Sequence, residues 1–391
     1  MRALRFERSL PRYAAARVAG SLAPGAGARV GPLELVDVDP PALPGPGWQR
    51  VRPRLAGICG SDLATVDGRS SRYFEPVVSF PFVPGHEVVG ALEDGSRVVL
   101  EAVLACAARG VDPPCRGCAA GDTDRCERLA FGHLEPGLQT GYCTATGGGW
   151  SEGLVAHASQ LHLVPDALSD EAAVMVEPTA CAVHAALAAP AAGGVTAVLG
   201  CGTLGLCAVA GLRRLATPGT LVAVAKHPDQ RRLAAELGAD VVVAPAEAQR
   251  AIRRATGSLQ VGAHLTGGAE VVLDCLGSSA SLAESLRLVR PGGVVVLVGM
   301  PASVTVDLTS LWQRQVRIQG SYAYGREARP DGGEARTFAM ALDLVAEADL
   351  GRLVSALYPL ASYREAIDHA ANAGRRGAVK VAFDLRGERG R

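Results

Sequence analysis

The sequence predicts an α/β chain in two parts: a doubly wound parallel sheet with helices on both faces, set within a mostly β region. Three observations carry this expectation. From about Val195, short β-branched runs (VTAVLG, TLVAVA, DVVVA, EVVLDCLG, GGVVVLVG) alternate with Ala/Leu/Arg-rich helical stretches such as DQRRLAAELG. That alternation is the pattern of βαβ units. Residues 1 to about 160 read instead as short strands broken by Gly and Pro, with no long amphipathic helix. Finally, 391 residues exceed what a single hydrophobic core usually serves.

Taken in order, the β region carries one compositional bias, a small-residue stretch around Ala14 to Ala28. The alternating block ends near Ser321, after RIQGS. Two helical patterns follow, ARTFAMALDLVAEA and SYREAIDHAANA, and then a last strand, VKVAFDL, which periodicity alone assigns to neither part. With 48% hydrophobic and 20% charged residues the chain can fill two cores. A net charge of +0, from 39 basic and 39 acidic residues, offers no footprint for nucleic acid or an anionic membrane, so the expected partner is a small molecule.

The N-terminal MRALRFERSLPRY spreads arginines where a signal peptide needs an apolar core, so a cytoplasmic protein is expected. Ala185 to Leu212 is uncharged and about as long as a bilayer span requires. It is broken by Pro190, by Gly193–Gly194 and by three further glycines, and strand, turn and buried helix account for it better.

Those three glycines form Gly200-x-Gly202-x-x-Gly205 after the strand VTAVLG and at the start of the helix TLGLCAVAGLRRL. Strand before and helix after is the context a dinucleotide-binding turn requires. Gly200 permits the tight turn, Gly202 lets backbone approach a pyrophosphate, and Gly205 lets helix and strand pack; Thr203 and Leu204 open the helix that faces the phosphates.

Three candidate metal ligands lie in separate segments: Cys59 in GICGSD, His86 in PGHE and Glu177 in VEPTACAVH. Thiolate, imidazole and carboxylate with one open position describe a catalytic zinc rather than a structural one. Zinc would acidify an alcohol, and Ser61, two residues from a ligand, would accept the proton. On a helix, Glu177, Cys181 and His184 share one face. His184 reads as a packed neighbour and not a ligand.

GICGSD, GHE and the glycine turn, in that order, resemble the zinc-containing alcohol and polyol dehydrogenases of the medium-chain dehydrogenase/reductase superfamily, over essentially the whole chain. The resemblance implies a GroES-like catalytic domain, 1–188 completed by 323–391, and a Rossmann domain, 189–322. It implies that Cys59, His86 and Glu177 hold zinc, that Glu87 sits beside the metal and that Ser61 meets the substrate hydroxyl. Asp62 would orient a ligand histidine. Cys181 would face the nicotinamide pocket, and Asp274 and Gly277 of DCLG, with Val298, Gly299 and Met300, would border ribose and nicotinamide. Cys115-x2-Cys118-x7-Cys126 matches the last three cysteines of the family's structural zinc lobe. Where its first would lie stands Asp112, so Cys106 is the candidate fourth if ARGVDPP loops out; reduced, metal-free thiols are the alternative. A homodimer or homotetramer is implied as well.

The chain departs from the pattern at Ala64, where many members carry a histidine that ends the proton path. DGRSSRYFEPVVSFPF and the region around Trp150 are expected to line the substrate pocket. An NAD enzyme places a carboxylate at the end of the second Rossmann strand. Here Ala225 stands there, followed by Lys226 and His227, with Asp229, Arg231 and Arg232 beyond, so NADP(H) is expected over NAD(H). Two other functions fit less well: a zinc-free reductase of enones or quinones on the same scaffold, and a zinc- and dinucleotide-binding protein without turnover.

Overall fold

The structure is a computed structural model describing residues 1–189, 193–329 and 332–387. Pro190, named above, lies outside them. Two compact units divide the chain, Met1–Glu177 with Val345–Arg391, and Pro178–Leu344. The first division falls inside helix Val176–Leu187 and the second inside helix Thr337–Glu347.

In the first unit, the long strand Trp48–Gly57 is the organising element. It pairs antiparallel with Val88–Ala91 on one side and with the C-terminal strand Lys380–Asp384 on the other, and its first half also pairs with Leu154–His157. Pro53 interrupts its run at a register shift, where the missing N–H is tolerated. The tail is thereby built into this unit, and VKVAFDL supplies buried Val381 and Phe383 to its core. Phe6 stacks on Phe82 with ring centroids 5.1 Å apart, and Phe82 meets Tyr142 at 5.2 Å.

The β region also holds what its periodicity did not announce. The small-residue stretch folds as helix Leu10–Leu22 and the short turn Gly27–Val30, between strands Arg2–Phe6 and Leu33–Asp37. Its buried positions are Ala16 and Gly20, while Leu10, Val18 and Leu22 face outward, so no apolar stripe marks it. Buried Asp67 secures the insert by accepting the amides of Gly25 and Gly27 at 3.0 and 3.1 Å.

The second unit is the doubly wound sheet. Its six strands run in the spatial order Val241–Val243, Thr220–Val224, Val195–Leu199, Ala269–Asp274, Val289–Leu297, Arg317–Gly320, and every pairing is parallel. The chain reverses direction across the sheet between Val195–Leu199 and Ala269–Asp274, and ligands of such folds bind beyond the strand ends at that point. No helix among the described residues is long and apolar enough to cross a membrane.

Candidate functional site

Strand Trp48–Gly57 delivers Cys59 to the start of helix Gly60–Val66. Asp62, on the first turn of that helix, accepts the Cys59 amide at 2.9 Å and turns its other oxygen toward His86 Nδ1 at 3.5 Å. Burial disfavours the imidazolium, but Asp62 and the Cys59 sulfur outweigh it and hold the His86 pKa well above its ordinary value. A carboxylate behind a histidine is the usual way to orient a metal-binding imidazole. Ser61 Oγ is shielded from solvent and has no hydrogen-bond partner among the described residues, which suits a hydroxyl awaiting a substrate oxygen.

Sequence reasoning missed the cation here. Lys380, fully buried on the C-terminal strand, pairs with buried Glu87 and donates to the Ile58 carbonyl at 3.3 Å. Burial works against its charge, while Glu87, Cys59 and Glu177 together raise its pKa. The structure thus brings Cys59 and His86 to Asp62, and pairs Glu87 with Lys380, whose charge Cys59 and Glu177 also favour. Thiol, imidazole and carboxylate are the donor set of an open zinc site, although their ligand atoms do not reach the close spacing of the cysteine lobe. The region around Trp150 is expected from the sequence to line the substrate pocket; within it, Trp150 itself is a core residue. It is wholly buried, donates to the Gly57 carbonyl at 3.1 Å and packs on Phe383.

In the lobe, Cys115 starts helix Arg116–Ala120, Cys118 lies within it, and Cys126 follows the turn Thr123–Arg125. The sulfurs of Cys106, Cys115, Cys118 and Cys126 all lie within 4.8 Å of one another, so Cys106 takes the corner that Asp112 cannot. Amides of Cys115, Glu127 and Arg128 each point at a lobe sulfur at 3.4 Å. For Cys115 the amides of Cys118 and Glu127 outweigh burial and draw the pKa down to about 7; burial pushes Cys126 up to about 11 and raises Cys118 as well. Four crowded sulfurs, three of them already accepting backbone amides, fit a bound cation. Behind them the buried Arg109 guanidinium donates to the carbonyls of Leu104, Phe131, Leu134, Glu135 and Gly137. It fixes the return of the chain from Phe131 to Gly137.

The glycine turn behaves as its spacing requires. Gly200 has φ +90°, a Cβ on Gly205 would stand 1.9 Å from the Gly200 carbonyl oxygen, and a Cβ on Gly202 would meet nothing within 4 Å. That open face lies at the N-terminus of helix Thr203–Gly211, with half-buried Thr203 and Leu204 beside it. Asp274 is spent within the fold: its carboxylate accepts from Leu276 and Gly277 amides and from Ser281 Oγ, and its carbonyl from Val298 and Gly299. Its contribution is therefore to shape the loops that carry Val298, Gly299 and exposed Met300. At the second strand end Ala225 is buried, Lys226 exposed and His227 half-buried, and Arg231 donates to the carbonyls of Ala225 and Lys226 at 3.1 and 2.9 Å. Asp229 lies 3.9 Å from Arg232. On helix Val176–Leu187, Cys181 is half-buried and His184 pairs with Glu327 at 2.6 Å, a packed neighbour.

Two family models match the chain, an alcohol dehydrogenase GroES-like domain over residues 45–166 and a zinc-binding dehydrogenase over residues 203–354. A Rhizobium meliloti (strain 1021) protein named as a D-xylulose reductase is 30% identical over 342 residues, covering 85% of this chain and 90% of that protein. The L-idonate 5-dehydrogenase of Vitis vinifera is 27% identical over 372 residues, covering 90% and 93%. A zinc-binding dehydrogenase structure from Sinorhizobium meliloti 1021, bound to NADP, superposes with a TM-score of 0.70 at 25% identity and covers 98% of each chain. With its paired thiol sites, its glycine turn and these relatives, the chain belongs to the zinc-type medium-chain dehydrogenases/reductases, and is a nicotinamide-linked oxidoreductase of alcohols.

Proposed function

We propose that the enzyme interconverts a secondary alcohol of a polyol or sugar-like substrate with its ketone, using NADP(H) in preference to NAD(H). The observation that carries this reading is the buried cluster around Asp62, which accepts the Cys59 amide and lies 3.5 Å from the His86 imidazole, one residue from a Ser61 hydroxyl that has no hydrogen-bond partner among the described residues. Relatives named for L-idonate and D-xylulose support a polyhydroxylated substrate.

Cys59, His86 and Glu177 would hold the catalytic zinc with Glu87 beside it, and Cys106, Cys115, Cys118 and Cys126 a structural zinc. When bound, the catalytic zinc supplies a Lewis acid that makes an alcohol more acidic. Ser61 takes the hydroxyl proton, Asp62 keeps His86 oriented, and Lys380 holds the Glu87 carboxylate in place. The pyrophosphate would lie over Gly202 at the N-terminus of helix Thr203–Gly211, with Cys181, Val298, Gly299 and Met300 toward the nicotinamide.

Preference for NADP(H) rests on the second strand end. No carboxylate stands at Ala225, and Asp229 is directed to Arg232. Exposed Lys226 has no ion pair among the described residues, and a charge-assisted hydrogen bond to a 2′-phosphate would contribute about 1.5–3 kcal/mol. We further take the protein to work in the cytoplasm as a homodimer or homotetramer, with functional domain exchanges at 188/189 and 322/323.

The test is a screen of polyols and secondary alcohols with each cofactor, followed by reduced-nicotinamide absorbance. Zinc-dependent turnover of at least one, faster with NADP, is expected. Turnover confined to enones or quinones and indifferent to zinc would overturn the reading.

A further inference from the structure

Ala64 removes the histidine through which relatives are expected to pass a proton outward from the serine. The fold places a different line of hydroxyls beside Ser61. Thr65, one turn along the same helix, has its Oγ1 at 3.2 Å from the Tyr142 hydroxyl and at 2.8 Å from Ser70 Oγ. Tyr142 arrives from a distant loop and is held among Phe82, at 5.2 Å between ring centroids, and His86, at 6.3 Å. Ser61 adjoins this group through its carbonyl, which accepts from Thr65 Oγ1 at 3.0 Å, and its own Oγ is shielded from solvent. At the outer end, Ser70 is half-buried and flanked in sequence by exposed Arg69. Thr65 and Tyr142 themselves are only 6% and 9% exposed.

We infer that Tyr142, Thr65 and Ser70 carry the substrate's hydroxyl proton from Ser61 to solvent, in place of the missing histidine. The inference rests on the reading of Ser61 given above. In alcohol oxidation the substrate's C–H electron pair leaves with its hydrogen as hydride to the oxidised nicotinamide, and its O–H bond breaks. The proton joins Ser61 Oγ. Ser61 passes its own proton to the Tyr142 oxygen, Tyr142 to Thr65 Oγ1, Thr65 to Ser70 Oγ, and Ser70 to water. Each hydroxyl gives one proton as it takes one, so no member ends charged, and carbonyl reduction runs the line backwards.

Two features of the site bear on how the line works. Burial, reinforced by Asp62, raises the Tyr142 pKa, so the phenol stays protonated and acts as a carrier; no step requires its ionisation. Thr65 has one proton and two acceptors, Ser70 Oγ and the Ser61 carbonyl at 3.0 Å. Transfer therefore needs Thr65 to turn its proton from the carbonyl to Ser70, a rotation about one bond.

The experiment measures proton release, with an indicator dye in a stopped flow, when trifluoroethanol binds the zinc-loaded enzyme holding oxidised cofactor. Trifluoroethanol binds as an alcohol and resists oxidation, so the readout is separate from turnover. Y142F and T65V should each slow release by roughly tenfold or more, with zinc content unchanged and trifluoroethanol affinity within about twofold of wild type. Adding A64H to Y142F should restore much of the rate, which a merely structural role for Tyr142 would not predict. T65V is isosteric and keeps the test available if Y142F folds poorly. Wild-type release rates in both single variants, with S61A slow, would overturn the relay and leave the Ser61 reading standing. Fast release in S61A, or none in wild type, would overturn the Ser61 reading and the relay with it.

Discussion

In the cysteine lobe four sulfurs stand within 4.8 Å of one another, backbone amides already point at three of them, and the Arg109 guanidinium behind them is taken up by backbone carbonyls. Around Cys59 the chain does the opposite: the thiol shares its surroundings with the Lys380 ammonium, which is paired to Glu87 and senses Glu177. A closed thiolate site can give its metal-binding energy to folding, because all four donors come from the protein. An open site must leave one position for substrate, and its charges need a counter-ion of the protein's own. On the proposed reading, the same element, sulfur, serves as a brace in one region and in a reactive centre in the other.

The largest expected effect breaks the open region. Cys59→Ser or His86→Ala should lower kcat/KM by on the order of 10³, since the Lewis acid contributes several kcal/mol to the transition state, while the melting temperature stays near that of wild type. Wild-type rates in either purified, metal-analysed variant would remove these residues from catalysis. Next comes its counter-ion. Lys380→Met strands a buried carboxylate and should cost about 3–5 kcal/mol of unfolding free energy, most of it recovered in the double variant with Glu87→Gln. Equal destabilisation of single and double variants in urea melts would show that the pair is not what Lys380 serves.

Cys118→Ser probes the brace. Losing one lobe ligand should cost about 3 kcal/mol and lower the melting temperature by roughly 10 °C, with kcat kept in the protein that remains folded. A loss of kcat without a loss of stability would erase the distinction between the two regions. The smallest effect lies outside both. Ala225→Asp with Lys226→Ala should shift the NADP-to-NAD ratio of kcat/KM toward NAD by about tenfold or more, near 1.4 kcal/mol, with zinc content and stability unaltered. An unchanged ratio would show that this strand end does not choose the cofactor.

Much of this was legible in the chain because local rules agree with the global fold where repetition is strong. Five β-branched runs and a glycine turn specify the parallel sheet, and GICGSD and PGHE mark two segments that meet at Asp62. The insert Leu10–Leu22 was hidden because its buried face is Ala16 and Gly20, residues that carry no apolar signal. Contacts made by distant segments were hidden for a different reason. Tyr142 and Thr65 are 77 residues apart, and Lys380 reaches Ile58 across 322; neither pairing leaves a trace in spacing or periodicity. The buried place of Trp150 was not legible either, since an aromatic in a glycine-rich loop serves a pocket wall or a core pillar equally well until its packing is seen.

The division of labour between the two thiol regions is tested most directly by zinc content per chain in wild type, Cys59→Ser and Cys118→Ser, each assayed for hydride transfer. About two zinc ions are expected in wild type and about one in each variant, with turnover lost in Cys59→Ser and stability lost in Cys118→Ser. A single zinc in wild type, or a Cys59→Ser protein that keeps both its metal and its turnover, would contradict the account.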